Sequence, residues 1–229
     1  MISALLFDFD GLIVDTESCI YQSWQELYES FGAQLEPSTW ARQVGIITSE
    51  GDHLADLEGL IGGPVDRATL APKRKQRELE LIRAQPARPG VQDYLRDAWR
   101  LGIKTGLASS APCSWVTGHL ERLGLIDDFD IIWASDDVRR VKPDPELYLA
   151  VLDALGVTAA EALALEDSPA GVHAAQRAGI FCVAVPNPLT RLLPLDHADL
   201  RLDSLAEIPL EALIQQVELL KNRGCIGGQ

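Results

Sequence analysis

The 229-residue chain is expected to form an α/β fold: a doubly wound, mostly parallel, Rossmann-like sheet with an inserted all-helical cap domain. Three observations carry this reading. A short apolar run near the start ends in two acids. From about residue 91 onward, helical and extended patterns alternate. Between them lies a long stretch with helical pattern and no convincing strand. Alternation of this kind implies a parallel sheet with helices on both faces.

The first element is Ala4-Leu5-Leu6-Phe7-Asp8-Phe9-Asp10-Gly11. It is short, bulky and almost wholly apolar, so it reads as a buried parallel strand. Ligands of doubly wound sheets bind outside the carboxyl ends of the strands. A period of two sends Asp8 and Asp10 to one side, about 7 Å apart along the chain. Gly11 then lets the backbone turn away. Two carboxylates so placed repel each other unless a cation sits between them or one is protonated. Alone, the pattern reads equally well as an acidic turn closing a strand.

Residues 17–85 read as helices. Trp24, Leu27, Tyr28 and Phe31 recur at helical spacing before Gly32. Leu54, Leu57 and Ile61 mark a second helix, ended by Gly62-Gly63. Residues 66–83, rich in Lys, Arg, Glu and Leu, suit an exposed amphipathic helix. Residues 84–90 resemble a linker. Helices at 91–100, 114–123, 145–155 and 169–178 then precede strands at 103–109, 129–133, 162–166 and 181–185. The first strand lacks a partner nearby in sequence, so the helical block reads as an insertion. Residues 1–16 and 88–229 are expected to form the core, and 17–87 the cap. Residues 224–229 read as a frayed tail.

Hydrophobic residues make up 47% of the chain, enough for a sizeable core. The net charge of −14 opposes nucleic acid phosphates and anionic lipid, so neither a nucleic acid nor a membrane partner is expected. An anionic substrate would need local cations. Cys19, Cys113, Cys182 and Cys225 lack metal or redox spacing and read as ordinary thiols of a reducing compartment. No basic leader precedes the first strand, and no apolar run approaches the ~18 residues of a membrane span. A soluble, cytoplasmic monomer is expected. His53, His119, His173 and His197 show no ligand spacing, and the five Trp residues read as core or interface.

Three later strand ends carry polar residues before a proline and a helix: Ser109-Ser110-Ala111-Pro112, Lys142-Pro143-Asp144-Pro145 and Glu166-Asp167-Ser168-Pro169. Proline suits the first helical position, and Ser or Asp before it caps the helix. Free N–H groups at such a start suit a phosphate. Singly, Ser109 reads as a cap, Lys142 as a solvated lysine and Glu166-Asp167 as an acidic loop. In order, they form an acid pair, a hydroxyl, a lysine and a second acid pair on successive strand ends.

That order resembles the haloacid dehalogenase superfamily over nearly the whole chain, through Asp8-Phe9-Asp10-Gly11, Ser109, Lys142-Pro143 and Glu166-Asp167. Asp15-Thr16-Glu17 and Asp167-Ser168-Pro169-Ala170-Gly171 resemble the branch containing β-phosphoglucomutase, phosphoglycolate phosphatase and small sugar-phosphate phosphatases. The resemblance implies a Mg2+-dependent phosphatase acting on a small phosphorylated metabolite, such as a sugar phosphate, through an aspartyl-phosphate. It implies Asp8 as nucleophile and Asp10 as acid, then base. It gives the Ser109 hydroxyl and the Ser110 amide to the phosphoryl oxygens, and makes Lys142 the countercharge. Mg2+ would be held by Asp8, the carbonyl of Asp10 and Asp167, with Glu166 acting directly or through water. Gly11, Thr16 and Thr48 are expected to join Ser110 in binding substrate. Thr48, in the cap loop Gly45-Ile46-Ile47-Thr48-Ser49, reads equally as a helix cap. Thr48 and Ile20 stand near positions where β-phosphoglucomutase carries an arginine and a histidine. Arg42, Lys73 and Lys75 are candidate substitutes without a placement. The departure favours hydrolysis, with a phosphomutase as the alternative. A receiver domain would carry its acceptor after the third strand in about half this length. A non-hydrolytic binding protein is disfavoured because the acid–hydroxyl–lysine set is complete.

Overall fold

The computed structural model describes residues 1–37, 40 and 52–226, with the side chains of 223–226 excepted. The elements are β1 (Ala4–Phe7), α1 (Thr16–Ser30), α2 (His53–Ile61), α3 (Arg67–Ala84), α4 (Val91–Leu101), β2 (Lys104–Ala108), α5 (Cys113–Leu123), β3 (Ile131–Trp133), α6 (Glu146–Leu155), β4 (Ala162–Glu166), α7 (Pro169–Arg177), β5 (Phe181–Ala184), β6 (Leu200–Arg201) and α8 (Leu210–Ile226). The six strands form one parallel sheet in the order β3-β2-β1-β4-β5-β6. Phe7 of β1 is flanked by Leu107 of β2 and Leu165 of β4.

β1 is buried on both faces, which is why it is apolar throughout. Leu5 and Phe7 pack into a cluster with Val91, Tyr94 and Leu95 of α4, Val116 and Leu120 of α5, and Leu210, Leu213 and Val217 of α8. Ala4 and Leu6 pack on the opposite face with Leu147, Val151 and Leu155 of α6 and Val172 and Ala175 of α7. Removing a side chain the size of Leu6 from water contributes roughly 1.5–3 kcal/mol. Gly106 sits inside β2 because α6 presses close: a Cβ there would lie 2.5 Å from Val151 and 2.9 Å from Leu6.

The doubly wound sheet is as expected, with two additions. Sequence patterning assigns nothing over 186–223, where the structure has β6 and α8. β6 is two residues long, too short to display a period. α8 also runs through Gly224 to Ile226, where a tail was expected. A glycine in a helix costs only about 1 kcal/mol, and the buried Leu210, Leu213 and Val217 anchor the turns before it.

Between β1 and α4 the described elements are α1, α2 and α3, each opened by an aspartate cap. Asp15 accepts from Ser18 N at 3.0 Å, Asp52 from Ala55 N at 3.0 Å and Asp66 from Thr69 N at 3.2 Å. The α3 guanidinium of Arg77 donates to Glu26 of α1 at 2.7 Å, and that of Arg74 stacks 4.5 Å over the Trp24 ring. α3 is not wholly exposed, since Glu78 and Ile82 are buried. Among the described residues, no helix is long and apolar enough to cross a membrane.

Candidate active site

β1 lies where the winding of the sheet reverses, with β2 on one side and β4 on the other, and a crevice opens beyond such strand ends. The chain leaves β1 at Phe7, but the Asp8 N–H still donates to Leu165 O at 3.0 Å. That bond fixes Asp8 beside the end of β4. Lys142, in the segment before α6, donates to Asp8 Oδ1 at 2.5 Å and to Glu166 Oε1 at 2.7 Å. Tyr148 of α6 donates its hydroxyl to the same Glu166 oxygen at 2.5 Å. Burial pulls the Lys142 pKa down, but Asp8 and Glu166 outweigh it and hold the ammonium above its ordinary value. Burial pushes Glu166 up, against the pull of Lys142.

Asp167 follows β4 and is 2% exposed. Its Oδ2 accepts from Asn187 Nδ2 at 2.8 Å and from Thr190 Oγ1 at 3.3 Å. Asn187 is itself fixed, its Oδ1 accepting from the N–H groups of Leu189 and Thr190, both at 2.9 Å. Gly11 abuts the same oxygen. Its φ is +83°, and a Cβ there would fall 2.0 Å from Asp167 Oδ2. Burial first, then Asp8 and Glu166, push the Asp167 carboxyl well above its ordinary range.

Oxygens of Asp8, Glu166 and Asp167 lie within 4.8 Å of one another. Lys142 touches two of these three carboxylates. Glu166 Oε2 is buried without a hydrogen-bond partner among the described residues. Surplus negative charge, hard oxygen donors and an unpartnered oxygen fit a divalent cation such as Mg2+.

The Asp10 carboxylate stands apart from that group. Its Oδ1 accepts from Trp115 Nε1 at 3.0 Å. Burial, then the charge of Asp8, push its pKa up to about 6. Two acids from one strand end therefore meet different partners, an ammonium and an indole. Ser109 is fully buried. Its N–H donates to Trp133 O at 3.0 Å, and its Oγ accepts from Ala111 N at 3.0 Å.

A cavity of about 130 Å³ has Asp8, Asp10, Ser109, Ser110, Lys142 and Asp167 in its lining. A larger one of about 650 Å³ shares Asp10 and Ser110 and adds Thr16, Ile20, Lys75 and Trp115. Glu17 lines both, and burial, then Asp10, raise its pKa to about 7. Lys75 is paired to Glu78, which also holds Arg74. The chain thus brings together Asp8, Asp10, Ser109, Ser110, Lys142, Glu166 and Asp167, with Gly11 behind Asp167 and Thr16 at the outer cavity. Thr48 and Arg42 lie outside the described residues.

Sequence reasoning missed Trp115, Tyr148, Asn187 and Thr190. Nothing local marks them, because each meets its acid across 18 to 105 residues of chain. Glu17 stood in a quoted motif without a role. His119 packs at 4.4 Å from the Trp115 ring, and burial, then Arg122, lower its pKa, in line with a packing residue.

The family model for haloacid dehalogenase-like hydrolases matches residues 5–185. YhcW of Bacillus subtilis (strain 168) is 46% identical, over 95% of this chain and 98% of its own. A phosphorylated carbohydrates phosphatase of Thermotoga maritima is 33% identical, over 77% of this chain and 82% of its own. The solved β-phosphoglucomutase of Clostridium difficile superposes with a TM-score of 0.71 at 26% identity, covering 99% of this chain and 100% of its own.

Proposed function

The chain belongs to the haloacid dehalogenase-like hydrolase family and is a phosphatase, and on that premise we propose that it hydrolyses a small sugar-phosphate-like metabolite through an aspartyl-phosphate on Asp8 with Mg2+ bound. The observation that carries this reading is the bridge from Lys142 to Asp8 and Glu166 at the floor of a cavity that Asp10 and Ser109 also line.

The Asp8 carboxylate attacks phosphorus. The bond from phosphorus to the ester oxygen breaks, and the leaving oxygen takes the proton of the Asp10 carboxyl. Water then attacks the aspartyl-phosphate and gives its proton to the Asp10 carboxylate. Phosphate departs and Asp8 is restored. Lys142 neutralises the nucleophile and the transferring group, and the Ser109 hydroxyl and Ser110 amide donate to the phosphoryl oxygens. Mg2+ would be held by Asp8, the carbonyl of Asp10 and Asp167, with Glu166 direct or through water, and it supplies charge neutralisation at the phosphoryl group. Residues 17–87 act as a cap that excludes water while the leaving group is held.

A phosphomutase is the second reading, since the β-phosphoglucomutase fold matches the full chain. Ile20 in the outer cavity supports hydrolysis, because an alkyl side chain offers no proton for steering a second sugar hydroxyl. A phosphate-release screen over phosphorylated metabolites with Mg2+ tests the proposal. Release from a sugar phosphate, lost in Asp8→Asn, is expected. Conversion of glucose 1-phosphate to glucose 6-phosphate without free phosphate would overturn it in favour of the mutase.

A further inference from the structure

We propose that Trp115 is a positioning residue: its indole N–H fixes which Asp10 oxygen carries the proton given to the leaving group, and its ring walls the leaving-group cavity. The inference rests on Asp10 being the general acid.

Indole Nε1–H donates and cannot accept. Its 3.0 Å bond to Asp10 Oδ1 therefore commits that oxygen as an acceptor. When Asp10 is protonated, its proton resides on Oδ2. A carboxyl free to rotate would offer either oxygen to the ester. The indole removes that ambiguity.

The ring is itself held in place. Trp115 lies in the first turn of α5, and its backbone N–H donates to Pro112 O at 3.0 Å. His119, one turn further, meets the ring edge-on at 4.4 Å, and Phe9, between the two acids in sequence, lies 6.1 Å from His119. Trp115 lines the outer cavity with Ile20, Thr16 and Asp10. The stretch from Ser109 to Trp115 thus lines both cavities. Ser109 and Ser110 line the inner cavity with Asp8, Ser110 also reaches the outer one, and Trp115 lines the outer one.

Two aryl esters separate positioning from general damage. The phenolate of p-nitrophenyl phosphate leaves without much help from an acid, whereas that of phenyl phosphate needs a proton. Trp115→Phe keeps a ring and loses the N–H. The expected result is a fall in kcat/KM of about 10–100-fold for phenyl phosphate, within the range that general acids contribute. The p-nitrophenyl ester should fall much less, so the readout is the ratio of the two kcat/KM values, which a change of cavity wall alone would not move. Trp115→His, with an N–H on a smaller ring, should recover part of the phenyl phosphate rate, and it keeps the test decisive if the Phe variant does not fold. Asp10→Asn is the control and should show the same leaving-group dependence more strongly. If Asp10→Asn lowers kcat/KM, which excludes the common dephosphorylation step, equally for both esters, Asp10 is not the acid and the inference falls with that reading. If Asp10→Asn discriminates but Trp115→Phe lowers both esters alike, or neither, the positioning role is overturned while the acid survives.

Discussion

The Lys142 ammonium stands 2.5 Å from Asp8 Oδ1, in a place where Lys142 is 4% and Asp8 8% exposed. The contact joins residues 134 apart in the chain, and the same ammonium reaches Glu166. Breaking a buried pair leaves uncompensated charge, which costs about 3–5 kcal/mol. Lys142→Met should lower the unfolding free energy by about that amount in urea, and phosphate release should disappear. The loss of stability should shrink toward acid pH, where Glu166, whose carboxyl burial already pushes up, can take up a proton.

Asn187 is expected to act on the metal through Asp167. Its amide and the Thr190 hydroxyl both meet Oδ2, which leaves Oδ1 clear of these two donors. Removing a partner that orients a metal ligand typically weakens binding by about 10–100-fold. Calorimetric titration of Asn187→Ala with Mg2+ should show that loss while the fold, read by circular dichroism, is retained.

Gly11→Ala should damage the site more than the fold. A left-handed backbone costs an alanine about 1–2 kcal/mol, and the new methyl would meet Asp167 Oδ2 besides. Thermal melting should fall modestly, and the Mg2+ needed for half-maximal phosphate release should rise sharply.

Glu17 supplies a pH test. Its carboxyl moves from 4.5 to about 7 on folding, first through burial and then through Asp10. The folded state thus holds the proton more tightly, so this contribution to stability is complete below about pH 4.5 and fades as pH rises through 7. At about 1.4 kcal/mol per unit, discounted for partial exposure, roughly 1–2 kcal/mol is at stake. Glu17→Gln should therefore melt higher than the native chain at pH 8 in chelator, and the advantage should vanish near pH 4.

Five of the six strands are legible in the sequence: β1 is a bare apolar run followed directly by Asp8, and β4 is apolar up to its last residue, Glu166, which Asp167 follows. Ser109 and Lys142 became legible through their order along the chain. Trp115 and Asn187 were not, since an isolated indole or amide carries no signal of the distant carboxylate it meets. α8 had a readable signal in Leu210, Leu213 and Val217, but no strand pattern beside it drew attention there. The cleft-facing part of Glu17 needed the fold, because its altered protonation comes from burial that a helical pattern does not reveal.

Rapid acid quench during turnover of a phosphate ester, followed by peptide mass spectrometry, tests the role of Asp8 most directly. A phosphoryl adduct on the peptide containing Asp8, absent in Asp8→Asn, is the expected result. Multiple turnovers with phosphate release by Asp8→Asn, and no adduct in the native chain at any quench time, would contradict it.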